Sequence, residues 1–87
     1  MSRLRRGDVI DYLIAVCVKN NITPTRTGFA DFILRACAGK FGMDKAKGKS
    51  FIDALISAWK FDRWKNHIKD NPYLTPEEKE GWFKRHG

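Results

Sequence analysis

No apolar run in this sequence is long enough to cross a bilayer. The longest, VIDYLIAVCV at residues 9–18, is about half the required length and is interrupted by Asp11. Cysteine is scarce. Cys17 and Cys37 are the only two, they fall on separate apolar stripes, and neither has a His or Cys neighbour at metal-ligand spacing. Buried reduced thiols are therefore expected, with a disulfide between them as the minor alternative. Histidine is equally sparse: His67 and His86 have no ligand-spaced partner, so surface histidines and no bound metal are expected. No Ser, Cys or paired carboxylate stands in an arrangement suited to nucleophilic or acid–base catalysis, and Glu77, Glu78 and Glu80 are better explained by stabilisation of a helix dipole. These shortages lead us to expect no enzyme, no catalytic residue and no cofactor. GMDKAKGKS at residues 42–50 imitates a phosphate-binding loop, but five residues separate Gly42 from Gly48 where that loop has four, and helical spacing precedes it where a buried strand is required.

What is present is enough for one small core. Eighty-seven residues make a single domain, one that buries only about 60% of its unfolded surface. Hydrophobic residues at 43% and aromatics at 13% separate the chain from disordered tails. We expect a single helical domain over residues 1–87 with a short basic arm at residues 1–6, soluble, cytoplasmic and not embedded in a membrane. The net charge is +7, and it is polarised: residues 1–50 carry +6, the remaining 37 only +1. A charge so placed favours a polyanionic partner, nucleic acid ahead of an anionic membrane.

Helical spacing recurs along the chain. Asp8 is a plausible N-cap for a first helix carrying Val9, Ile10, Leu13, Val16 and Cys17, widened by Ile14 and Val18 and ended by Asn20-Asn21. Thr25 or Thr27 is expected to cap a second, whose Phe29, Phe32, Ile33, Ala36, Cys37 and Phe41 follow the i, i+3, i+4 pattern as far as Gly39 to Gly42. A third begins either at Asp44, with Lys45, Lys47 and Lys49 in its first turns, or at Ser50, where SFID has the form of a capping box. Its stripe of Phe51, Ile52, Leu55, Ile56 and Trp59 breaks near Lys60 and resumes at Trp64 and Ile68. An extended WKFDRW is the alternative reading. TPEE starts a last helix, about residues 76–85, with Thr75 as N-cap and Pro76 in first position. The class expected is all-α, with four to five helices.

Two helices joined by a glycine turn, the second opening with lysines, suit a helix-turn-helix, whose second helix lays its first residues in the DNA major groove. CAGKFGMDKAKGKSFI resembles the helix-turn-helix signature of the DNA-binding repressor superfamily. Ala38 is the small residue between helices, Gly42 the turn glycine four positions on, Phe41 and Met43 the apolar flanks, and Phe51 a later core residue. Gly48 departs from it, standing where the signature usually has Ile or Val. The order of elements is also similar to a winged-helix domain, although no Asn-Gly or Asp-Gly turn follows Trp59 to make the wing, so a wholly helical domain is expected.

The resemblance implies that Lys45, Lys47, Lys49 and Ser50 approach the groove and that Arg3, Arg5 and Arg6 reach phosphates or the minor groove. Arg26 and Lys40 join them as basic candidates. Duplex DNA is then the expected partner, ahead of RNA, with weak sequence preference, because base reading falls mostly to Arg, Asn and Gln. In WKFDRWKNHIK, the cations Lys60, Arg63, Lys65 and Lys69 interleave with aromatics and form a secondary surface, suited to unpaired bases if the rings are exposed. The rival expectation is a protein-interaction module docking through the aromatic C-terminal half, with a homodimer or another protein as partner. Burial of Trp59, Trp64 and Trp82 would remove its anchors.

Overall fold

Helix α1 (Arg6–Lys19) is the axis of the domain. The computed structural model describes residues 5–86, and four more helices follow in them: α2 (Phe29–Phe41), α3 (Lys45–Lys60), α4 (Trp64–Lys69) and α5 (Pro76–His86). The described residues contain no strand, so the class is all-α and no hairpin wing follows α3 within them. All four other helices pack on α1. The cause is its broad apolar surface: Val9, Leu13, Ile14, Ala15, Cys17 and Val18 are all buried. Both cysteines are buried and free. Loss of hydration pushes the Cys17 thiol up to about 12 and raises that of Cys37.

The caps differ from expectation at two helices. α1 starts two residues before Asp8, which lies in its first turn, and the N-cap residue Arg5 makes no side-chain capping bond. Arg6, assigned above to a basic arm, is therefore helical. Neither Thr25 nor Thr27 caps α2. The N-cap is Gly28, left-handed at φ 89°, a conformation that glycine adopts without strain, and the Thr23 and Thr25 hydroxyls bond each other at 2.7 Å instead.

The start of α3 is decided by Asp44. Its Oδ1 accepts the Lys47 amide at 2.8 Å, so the lysines belong to the helix. Ser50 is interior to it and donates its hydroxyl to the Lys47 carbonyl at 2.7 Å. α3 ends at Lys60, and Asp62 takes a left-handed φ of 56° before α4 begins, so WKFDRW is a helix–turn–helix junction and not a strand. Trp64, 1% exposed, donates Nε1 to the Leu55 carbonyl at 2.9 Å and ties α4 to α3.

Gly48 is buried where α2 crosses α3. A Cβ built on it would fall 2.7 Å from Leu34 Cδ2, which is the physical reason for glycine at the position where the helix-turn-helix signature has Ile or Val. Gly48→Ile is expected to destabilise the fold by about 1–3 kcal/mol through overpacking. Gly48→Ala, which asks only the end of the half-buried Leu34 to move, is offset by up to about 1 kcal/mol of helix propensity. Urea titration of the two variants checks the contrast, and equal losses would mean that the close approach is not what selects glycine.

α5 begins with a reciprocal capping box. Thr75 Oγ1 accepts the Glu78 amide at 3.2 Å, and Glu78 Oε1 accepts the Thr75 amide at 2.9 Å. Lys19 adds a salt bridge at 3.2 Å from the end of α1. The Thr75 amide first, and Lys19 after it, hold the Glu78 carboxyl below the usual glutamate range. A carboxyl depressed in the folded state contributes stability that is complete above its unfolded pKa and is lost as pH falls through the folded one. Melting temperature is expected to decline between about pH 6 and pH 3, and Glu78→Gln to flatten part of that decline. An unchanged profile in the variant would show that the box carries no charge-dependent stability.

His86 is exposed, as expected, whereas His67 is part-buried and has a partner. His67 Nδ1 lies 2.9 Å from Asp11 Oδ1, linking α4 to α1. Next to this pair the buried Asn71 donates to the Asp11 carbonyl at 2.8 Å and accepts the Tyr73 amide at 2.9 Å. His86 packs on Trp82 with ring centroids 4.9 Å apart, and on Trp59 at 6.0 Å.

Candidate nucleic-acid interface

α2 and α3 are joined by three residues. Gly42 is left-handed at φ 61°, and the Gly42 and Met43 amides return to the Ala38 and Cys37 carbonyls at 3.1 and 3.3 Å, which closes α2 sharply. Asp44 then opens α3. A helix, a turn of this length built on glycine and a second helix are the local elements of a helix-turn-helix.

The helix separates its lysines. At 3.6 residues per turn, Lys45 and Lys49 stand about 40° apart, whereas Lys47 is about 200° from Lys45. The buried stripe of α3 is Gly48, Phe51, Ile52 and Leu55. The lysines therefore occupy the two opposite flanks of the helix, and between them the outward face carries Ala46 and Ser50, both small and exposed, followed by Asp53.

On the Lys47 flank lies an open groove of about 280 Å³. Its rim is formed by Arg5, Arg6, Lys47 and Ser50, which brings together residues more than 40 positions apart in the chain. Its floor is Val9, Phe41, Met43 and Phe51. The Arg6 guanidinium stands 4.8 Å over the Phe51 ring, a cation–π contact that fixes its position. Among the described residues, none that lines this groove carries a carboxylate. On the opposite flank, Lys45 and Arg35 border a shallower apolar hollow that includes Leu34 and Ala38.

The remaining predicted residues are scattered. Arg3 lies outside the described residues. Arg26 is in the α1–α2 connection, at the other end of both helices from the groove. Lys40 sits 5.3 Å over the Tyr12 ring at the end of α2. On the secondary surface, Lys65 pairs with Asp62 at 3.1 Å and Arg63 stands 5.9 Å from the Phe61 ring, while Lys60 and Lys69 are exposed. The aromatic platform there is reduced to one ring. Phe61 is 65% exposed, whereas Trp64 and Trp82 are buried and Trp59 is half-buried.

Sequence reasoning missed Arg35 and the apolar floor of the groove. Arg35 falls opposite the buried stripe of α2, which could have marked it as outward-facing, but only the α2–α3 crossing sets it beside Lys45. Among the described residues no group of His, Cys, Asp and Glu is placed to hold a metal ion, and no helix is long and apolar enough to cross a membrane. The molecule is thus a small all-α domain in which a glycine turn joins α2 to the lysine-bearing start of α3. No protein-family model, curated protein or solved structure matches the chain.

Proposed function

We propose that this protein binds duplex DNA through the first two turns of α3, as a transcriptional or architectural factor in the cytoplasm. The observation that carries the reading is the placement of lysines on both flanks of one helix with small residues between them. A major groove about 12 Å wide admits a helix between two phosphate ridges. Ala46 and Ser50 let the backbone approach, Lys45 and Lys49 serve one ridge, and Lys47 serves the other, extended by Arg5 and Arg6. Asp53 repels phosphates one turn further on and limits how deep the helix lies.

Sequence preference is weak in this reading. The outward face offers no Arg, Asn or Gln over these turns, so affinity comes from phosphate neutralisation and falls steeply with salt.

Fluorescence anisotropy of a labelled duplex, titrated at about 50 and 200 mM salt with single-stranded RNA as competitor, tests it. Steep salt dependence and resistance to RNA support duplex binding. Absence of binding at the lower salt removes it. A second reading is favoured by one observation: Ile56, 43% exposed, and Phe61 lie at the end of α3 and suit a protein contact. Of the three tryptophans that the sequence offered as anchors, Trp64 and Trp82 are buried and Trp59 is part-exposed, so Trp59 is the one left to join such a contact.

A further inference from the structure

The groove beside Lys47 contains more than phosphate chemistry requires. A surface that only neutralises backbone phosphates needs exposed cations. Here three cations and a hydroxyl ring a floor that includes the half-buried side chains of Phe41 and Met43. The Arg6 guanidinium stands 4.8 Å from the centroid of the Phe51 ring, and Arg6 is exposed, so it is placed at the rim where a planar partner can reach it. Phe41 is braced edge-on by Tyr12, with centroids 5.4 Å apart at 85°, so its position does not depend on a ligand. The volume of about 280 Å³ lies at the small end of ligand pockets. Its size is comparable to one nucleotide, and its rim of Arg5, Arg6, Lys47 and Ser50 suits a phosphate where an acyl chain would need none.

We infer that this groove holds a single unpaired nucleotide, its phosphate among Arg5, Lys47 and Ser50 and its base against Phe41, Met43 and the guanidinium of Arg6. Two sources supply that chemistry: the unpaired end of a DNA strand, or a free nucleoside monophosphate. The first source rests on the duplex reading above, since it places the groove alongside a phosphate ridge that α3 already contacts. The second does not. Stacking on an aromatic or guanidinium plane accepts every base, so the groove selects for an unpaired nucleotide and not for its identity.

The experiment has two arms. In the first, anisotropy compares a blunt duplex with the same duplex carrying a single-nucleotide overhang. The overhang is expected to bind on the order of tenfold more tightly, and Phe41→Leu, which keeps the apolar volume and removes the ring, is expected to erase the difference while leaving blunt-duplex affinity in place. Met43→Ala, which removes the other half-buried side chain of the floor and none of the groups placed on the duplex, should also reduce it and serves if Phe41→Leu does not fold.

In the second arm, amide NMR spectra of the protein are titrated with adenosine 5′-monophosphate and, separately, with inorganic phosphate. Shifts at Arg6, Phe41, Met43 and Ser50 are expected with the nucleotide and are expected to be much weaker with phosphate alone. Equal binding of blunt and overhanging duplexes with no nucleotide shifts at the groove overturns the inference and leaves duplex binding standing. Equal responses to phosphate and nucleotide overturn it too, because the floor would then do nothing. Nucleotide shifts at the groove without any duplex binding support it with the free nucleotide as source, and remove the duplex reading instead.

Discussion

Replacing Lys45, Lys47 and Lys49 together by glutamine is expected to lower duplex affinity by about three orders of magnitude at roughly 0.1 M salt. The slope of log affinity against log salt should fall by about 3. Each lysine in contact with a phosphate releases a counterion worth about 0.9 decades of affinity per decade of salt, so three contacts account for both numbers. All three side chains are exposed, and glutamine is nearly as good a helix former as lysine, so the fold should not change. The far-UV circular dichroism spectrum checks that.

The informative control is Lys60, Lys65 and Lys69 to glutamine. It removes the same formal charge from α3's last residue and α4, so a long-range effect of net charge would weaken binding equally in both variants, whereas direct contact predicts a large loss only in the first. The single variants refine the geometry. If α3 lies between two phosphate ridges, Lys45→Gln and Lys47→Gln lower the slope by similar amounts, about 1 each. If one of them has no effect, only one flank faces DNA.

Trp64→Ala is expected to have the largest effect on stability, a loss of about 3–5 kcal/mol. The ring is 1% exposed, it braces Trp59 edge-on with centroids 5.1 Å apart, and it supplies the Nε1 donor to the Leu55 carbonyl. Truncation opens a cavity between α3 and α4 and withdraws that hydrogen bond at once. Small domains have total stabilities near the lower end of about 5–15 kcal/mol, so most of the margin disappears. Melting temperature should fall by about 12–40 °C, at about 4–8 °C per kcal/mol for a domain of this size. Trp59→Ala is the comparison: half-buried, and packed edge-on against Trp64 where Trp64 is itself almost fully enclosed, it should lose about half as much. If the two variants melt at the same temperature, the α3–α4 junction does not depend on Trp64 in the way its burial indicates.

Much of the fold was legible because local signals agreed with one another. The apolar set from Phe29 to Phe41 has one helical solution, and Thr75 with Pro76 marks the start of α5. At α3 the local signals competed. Asp44 and Ser50 are both good N-caps, and propensity cannot choose between them. Asp44 prevails because the helix it starts places Gly48 against Leu34 and Cys37, a contact with α2 that no local pattern announces. Thr25 and Thr27 failed as caps for a related reason: the backbone route from α1 into α2 requires a left-handed residue just before the helix, and Gly28 takes that conformation with less strain than threonine.

Composition, periodicity and turn residues were sufficient for the all-α class, a count of four to five helices and the basic character of the first half, because these depend on neighbours within a few positions. The candidate site needed coordinates. Arg5 and Arg6 meet Lys47 and Ser50 only because α1 crosses α3, and His67 meets Asp11 only because α4 folds back on α1. The division of the lysines between two flanks depended on where α3 starts, which packing against α2 decided. Contacts between residues far apart in the chain are set by how helices pack, and packing depends on shape and volume across the whole core, which no short stretch of sequence contains.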